Sequence, residues 1–163
     1  PIIIYAICFL FSLAASAIYH LMPFDHSRAF LGRLDHAAIY FKIAGTYTPV
    51  VATIGTGFAY AILGIVWALA IIGAIAKLSF WSTQSRASLA LYLAMGWLSV
   101  LLIWPMWHAL PSAALTLIVV GGFIYSVGTL VYAHPGMRFQ NAIWHVFVLA
   151  ASMCLFAAIW ISA

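Results

Sequence analysis

The stretch Ser16-Ala17-Ile18-Tyr19-His20 ends one long apolar run of the sequence, and Leu34-Asp35-His36 opens the next. Together they place a hydroxyl, imidazoles and one of the chain's two carboxylates at the ends of very hydrophobic segments. Ionisable side chains are costly in such segments and therefore indicate a functional site. The chain is organised around this stretch, which continues to Gly45-Thr46-Tyr47-Thr48-Pro49.

The composition of the 163 residues is that of an integral membrane protein. It is 67% hydrophobic and 5% charged, whereas a soluble domain has about 25% charged residues. The six Lys and Arg residues are too few and too scattered for a nucleic-acid surface, so we expect membrane lipids, and no nucleic acid, as partners. Cys8 and Cys154 lie inside apolar runs, so we expect no disulfide framework and no cysteine metal site.

Six hydrophobic runs, each close to the ~20 residues that a membrane-spanning helix needs, predict an all-α, polytopic membrane helix bundle. Short connectors with Gly or Pro join them, and there is no linker or repeat, so we expect residues 1–163 to form a single transmembrane domain. Because the chain starts at Pro1 inside an apolar run, we also expect that a first helix is missing before it. The runs are 2–22, 35–54, 57–77, 87–107, 112–132 and 141–161.

The basic residues predict how these helices are oriented. Connectors 23–34, 78–86 and 133–140, with their flanks, hold five of the six Lys and Arg residues, and the connectors between them hold none. The positive-inside rule therefore places these three connectors in the cytoplasm. The remaining base, Lys42, is expected to reach toward the cytoplasmic interface, with an ion pair to Asp35 as the alternative. The five connector bases are Arg28, Arg33, Lys77, Arg86 and Arg138.

This topology gathers polar residues from three runs at the cytoplasmic end of the bundle. His20 ends the first run, and Ser16 lies one helical turn earlier on the same face. Asp35 opens the second run, while Asn141 and His145, again one turn apart, open the sixth. A common depth is the first condition for a shared site.

Imidazoles beside a carboxylate indicate a zinc site. Histidine nitrogen suits Zn²⁺, and a catalytic zinc site keeps one position open for water. Asp35 would orient that water, and Ser16 would hydrogen-bond nearby. Spacing alone is equally compatible with a structural interpretation, in which Asp35 and Asn141 cap their helices and His20 is an interfacial residue.

Five segments carry a more specific signal than spacing does. They are Ser16-Ala17-Ile18-Tyr19-His20, Leu34-Asp35-His36-Ala37-Ala38-Ile39-Tyr40, Ile43-Ala44-Gly45-Thr46-Tyr47-Thr48-Pro49, Tyr92-Leu93-Ala94-Met95-Gly96-Trp97 and Ala142-Ile143-Trp144-His145-Val146-Phe147-Val148-Leu149. In residues and in order they resemble the bacterial hemolysin III family, which belongs with the progestin and adipoQ receptors. The resemblance covers essentially the whole chain.

The resemblance implies a seven-helix bundle with a cytoplasmic N-terminus in the bacterial inner membrane, of which this chain would hold helices two to seven. It also implies a zinc ion held by His20 and by a His-x-x-x-His pair in the last helix, with Asp35 and Ser16 around the zinc-bound water.

The sequence departs from this family pattern at one ligand. The last-helix pair reads Asn141-Ala142-Ile143-Trp144-His145, so an amide stands at the position of the first histidine. An amide oxygen is a poor zinc ligand beside imidazole. His36 and His134 are candidate substitutes, although His36 projects about 100° from Asp35 on its helix.

Three functions are compatible with these residues. The leading one is metal-dependent hydrolysis of a lipid amide or ester. The second is a non-catalytic protein that senses or adjusts lipid state, with a degenerate or structural metal site. The weakest is a haemolytic pore, because the runs show no polar stripe to line one. The oligomeric state is left open.

Overall fold

The computed structural model describes residues 1–21, 27–82, 85–134 and 136–162, and the regular secondary structure in these ranges is helical, which confirms the all-α prediction. The chain divides into two compact units, Pro1–Ser99 and Val100–Ala163. The single domain over residues 1–163 stays a prediction. The helices of the first unit are α1 (Ile2–Leu21), α2 (Arg28–Ile54), α3 (Gly57–Ser79) and α4 (Arg86–Trp97), and those of the second are α5 (Ile103–Ala109), α6 (Ser112–Tyr132) and α7 (Gln140–Ser162).

Five segments of the described chain are long and apolar enough to cross a membrane. Four are α1, α3, α6 and α7, and the fifth, Arg86–Ala109, joins α4, a 3₁₀ turn at Leu98–Leu102 and α5. The chain is therefore a polytopic membrane helix bundle. The remaining predicted span, 35–54, corresponds to α2, which is long enough but carries Arg33, Asp35 and Lys42 and is less apolar than the others.

Helix α2 is the centre of the first unit. It packs against α1, α3 and α4, and its buried residues lie all along its length. The buried residues include both Asp35 and Lys42. A helix covered by its neighbours can hold charged groups that a lipid-facing helix cannot, because those groups face protein instead of hydrocarbon.

Two tyrosines bind α2 to α4 through the same spacing on both helices. The hydroxyl of Tyr40 lies 2.9 Å from that of Ser88, and the hydroxyl of Tyr47 donates to the carbonyl of Met95 at 2.7 Å. Tyr40 and Tyr47 are seven residues apart on α2, and their partners Ser88 and Met95 are seven residues apart on α4. The two helices therefore run parallel, with one face of each in register. These hydrogen bonds fix the axial position of α4 relative to α2.

Glycines let α2 approach its other two neighbours closely. A methyl group added at Gly45 would lie 2.7 Å from the Cβ atom of Cys8 on α1. One added at Gly73 on α3 would lie 2.6 Å from the ring of Tyr40. Both distances are shorter than atoms tolerate, so the packing of the first unit requires glycine at these two positions.

The second unit is built on the contact between α6 and α7. A methyl group added at Gly128 would lie 2.7 Å from the Cβ atom of Phe147, so the two helices touch closely there. One turn before it, the hydroxyls of Tyr125 and Ser152 lie 3.0 Å apart. Small residues and a polar bridge thus hold this pair together.

Candidate metal centre

His20 and Asp35 meet at the contact between α1 and α2. His20 lies in the last turn of α1, and its Nε2 atom is 3.8 Å from the Oδ2 atom of Asp35. The Asp35 side chain is 12% exposed and the His20 side chain 36% exposed. The structure therefore brings an imidazole and a buried carboxylate together from residues fifteen positions apart.

Asp35 does not cap its helix. Helix α2 begins at Arg28, with Ser27 as the residue before it, so Asp35 lies two turns inside. The hydropathy of the sequence placed the helix start at residue 35 because Arg28 and Arg33 interrupt the apolar run. The capping interpretation of Asp35 is wrong, and its carboxylate faces α1 instead.

Ser16 and His36 lie close to this pair along the chain. Ser16 is half-buried on α1, one turn before His20. The carbonyl of His36 accepts a hydrogen bond from the Tyr92 hydroxyl at 2.7 Å. That bond holds the backbone next to Asp35 against α4.

The last-helix residues belong to the second unit. Helix α7 begins at Gln140, so Asn141 is its second residue and not its cap, contrary to the capping interpretation. The Nδ1 atom of His145 lies 2.6 Å from the carbonyl oxygen of Asn141. A carbonyl only accepts, so Nδ1 carries the proton and the lone pair of the neutral ring is on Nε2. This tautomer is the one that metal-binding histidines commonly adopt when they ligate through Nε2.

The donor chemistry of these residues suits zinc at three positions. His20 and His145 offer imidazole nitrogen, and Asp35 offers a carboxylate oxygen, all of which bind Zn²⁺ in proteins. Asn141 offers only an amide. Within the described ranges, no three His, Cys, Asp or Glu side chains lie together as a metal-binding group. The candidate substitute His134 is exposed just after the end of α6. The zinc site stays a prediction.

Lys42 does not extend toward the cytoplasmic edge. Its side chain is buried, and its Nζ atom lies 5.5 Å from the centre of the Phe9 ring on α1. Phe9 is three turns from His20 along α1, so the ammonium lies deep in the unit, where an aromatic face attracts it. The expectation of a side chain reaching the interface is wrong because packing against α1 decides its direction.

Sequence reasoning missed a polar cluster at the end of α3. Arg33 donates from Nη1 to the carbonyl of Leu78 at 3.3 Å, and Lys77 donates from Nζ to the carbonyl of Ser82 at 2.8 Å. Cations commonly bind the last carbonyls of a helix, where the dipole is negative. The sequence could have indicated this cluster, because Arg33 lies near the start of α2 and Lys77 near the end of α3. In two consecutive antiparallel helices these ends lie on the same side.

Comparisons with known proteins show which family the chain belongs to. The sequence profile of the family described as "Haemolysin-III related" matches residues 1–156. The chain is 36% identical to a hemolysin-3 homolog of Bacillus subtilis over 154 residues, which is 94% of this chain and 72% of that protein. It is 41% identical to hemolysin-3 of Bacillus cereus over 124 residues, 76% of this chain but only 57% of that protein.

A more distant similarity extends beyond bacteria. The chain is 29% identical to the human monocyte to macrophage differentiation factor over 163 residues, covering 94% of this chain and 66% of that protein. No solved structure matches the chain.

Proposed function

Because this chain belongs to the haemolysin-III-related family of multi-pass membrane proteins, we propose that it hydrolyses an amide or ester bond of a membrane lipid with the help of zinc. The site would lie near the cytoplasmic face of the bacterial inner membrane. The observation that supports this most is the approach of His20 to Asp35 within 3.8 Å at the basic end of the first unit.

The residues that would hold the metal are His20 and His145. Bound zinc would supply the Lewis acidity that activates water and polarises a carbonyl. The hydrogen bond from Nδ1 of His145 to the Asn141 carbonyl supports ligation through Nε2. Asn141, where the family pattern has a histidine, leaves the donor set one imidazole short.

Asp35 has the properties of a general base in this reaction. Its carboxylate is largely buried and faces an imidazole, so it can accept a proton from water at Oδ1 or Oδ2 and pass it to the leaving group. Ser16, half-buried one turn from His20, would donate a hydrogen bond to the substrate or the water. Helices α1 and α2 would exclude bulk water from the site.

The experiment is release of fatty acid from ceramide-like lipids by the purified, reconstituted protein. Asp35→Ala should lower the rate at least about 100-fold, the usual contribution of a general base. Thr53→Ala is the matched control, because Thr53 lies at the opposite end of α2 and its hydroxyl donates to the Pro49 carbonyl of the same helix. A rate that is the same for both variants, or no fatty acid release at all from zinc-loaded protein, would contradict the proposal.

A second candidate is favoured by Asn141. A protein that senses or adjusts lipid state needs no open catalytic position, so a weakened or purely structural metal site would suffice. This alternative is supported if the purified protein binds zinc stably but hydrolyses no lipid amide or ester.

A further inference from the structure

Two tyrosines cross between α2 and α4 in opposite directions close to Asp35. The Tyr40 hydroxyl on α2 lies 2.9 Å from that of Ser88 on α4. The Tyr92 hydroxyl on α4 donates to the His36 carbonyl on α2 at 2.7 Å, and the two tyrosine rings lie 4.4 Å apart. On each helix the two residues involved are one turn apart, so they share a face. Each helix thus holds the other through one tyrosine.

The Tyr92 bond holds the backbone next to Asp35. Inside a helix a carbonyl accepts from the N–H group four residues later, and it has a second lone pair for another donor. Tyr92 therefore bonds the His36 carbonyl without interrupting α2, which continues to Ile54. Because His36 directly follows Asp35, α4 holds α2 at the turn that carries the carboxylate.

Asp35 is thus fixed from two neighbouring helices. Its carboxylate faces α1, with Oδ2 3.8 Å from the Nε2 atom of His20, while Tyr92 bonds the adjacent backbone from α4. A general base must lie within about 2.6–3.2 Å of the group whose proton it takes, and a misplacement of about 1 Å can lower the rate about 100-fold. A bond that fixes this turn of α2 would therefore matter for the chemistry as well as for packing.

Packing alone is the simpler explanation for the Tyr92 bond. Tyr47 makes a bond of the same kind between the same two helices, because its hydroxyl donates to the Met95 carbonyl at 2.7 Å. Tyr47 lies twelve residues after Asp35 on α2, about 18 Å along the helix axis. If both bonds only attach α4 to α2, loss of either hydroxyl should have the same consequences. An effect on Asp35 that only the Tyr92 hydroxyl produces would separate the two explanations.

We propose that Tyr92 is a positioning residue for Asp35. By binding the His36 carbonyl, its hydroxyl keeps the carboxylate in the position in which it faces His20. Tyr92 acts through the backbone of α2 and needs no contact with substrate or metal. The effect on turnover rests on the hydrolytic function proposed above, whereas the effect on the position of the carboxylate does not.

The test observes Asp35 directly by NMR, in metal-free protein labelled with ¹³C at the side-chain carboxyl of aspartate. The chain has two acidic residues, both aspartates, so two such signals are expected, and Asp35→Asn identifies the one from Asp35. Tyr92→Phe keeps the ring and removes the hydroxyl. At fixed pH it should shift the Asp35 signal, because the carboxylate moves relative to the His20 ring. Tyr47→Phe, the matched control, should leave that signal in place.

Kinetics of fatty acid release give the second readout. Tyr92→Phe should lower kcat about 10-fold, as a displacement of less than about 1 Å would, with KM unchanged because the hydroxyl does not touch substrate. Tyr47→Phe should keep both constants.

Three results would overturn the proposal: an Asp35 signal that moves equally in the two variants, one that does not move in Tyr92→Phe, or a wild-type kcat in Tyr92→Phe. A shift confined to Tyr92→Phe in a protein that releases no fatty acid would support the positioning role and contradict only the hydrolytic function.

Discussion

The Nε2 atom of His20 and the Oδ2 atom of Asp35 lie 3.8 Å apart across the contact between α1 and α2. The same contact brings Cys8 against Gly45, so the two helices are antiparallel and closely packed along their length. The position of the carboxylate beside the imidazole is therefore a consequence of helix packing as well as of the two side chains.

Asp35→Asn should separate metal binding from chemistry. If His20 and His145 hold the zinc and Asp35 acts on water, the variant keeps most of its zinc and loses turnover by about 100-fold or more. Metal content and fatty acid release, measured on the same preparation, check the retained zinc and the lost turnover. Loss of zinc in parallel with activity would show that Asp35 is a ligand, and unchanged activity would remove it from the reaction.

Gly73→Ala should destabilise the first unit. The added methyl group would meet the buried Tyr40 ring at 2.6 Å, and overpacking of this kind costs about 1–3 kcal/mol. Gly64→Ala on the same helix has nothing within 4 Å of the added atom and should be neutral or stabilising by about 0.5–1 kcal/mol. Denaturation in detergent measures both variants, and equal stability of the two would contradict the packing described for α2 and α3.

Gly128→Ala tests the second unit in the same way. Its added methyl group would lie 2.7 Å from the Cβ atom of Phe147, whereas one at Gly122 would meet nothing within 4 Å. We expect the free energy of unfolding to fall by about 1–3 kcal/mol for Gly128→Ala and to change little for Gly122→Ala. The reverse order would mean that α6 presents a different face to α7.

Tyr47→Phe should weaken the attachment of α4 to α2. The Tyr47 hydroxyl donates to the carbonyls of Met95 at 2.7 Å and Gly96 at 3.0 Å, and a hydrogen bond within a membrane protein contributes about 0.6 kcal/mol on average. We expect a loss of about 0.5–1.5 kcal/mol in the free energy of unfolding. Tyr60→Phe, at an exposed position of α3, should change stability by less, and an equal loss would count against the bond.

The sequence predicted the lipid-facing helices better than the central one. Hydropathy gave residues 112–132 for α6, and the structure has Ser112–Tyr132. It began the second helix at residue 35, seven residues after Arg28, because Arg28 and Arg33 interrupt the apolar run that hydropathy detects. The residues that hid the start of α2 are Arg28, which is exposed, and Arg33, which is half-buried.

The side-chain directions were harder to predict than the depths. Counting turns placed His20 and Asp35 at one level, and the structure shows the two side chains facing each other. The same counting left Lys42 free to reach either the interface or Asp35, and its contact with Phe9 depends on how α1 lies against α2. Such a contact follows from packing geometry, which a single sequence does not contain.

Zinc content of the purified wild type, His20→Ala and Asn141→His is the most direct test of the central claim. Wild type should carry zinc, His20→Ala should lose it, and Asn141→His should bind it more tightly because an imidazole replaces an amide. His108→Ala, at an exposed position of α5 where the ring bonds the Trp104 carbonyl, should retain wild-type zinc. Equal and negligible zinc in wild type and His20→Ala would contradict the account.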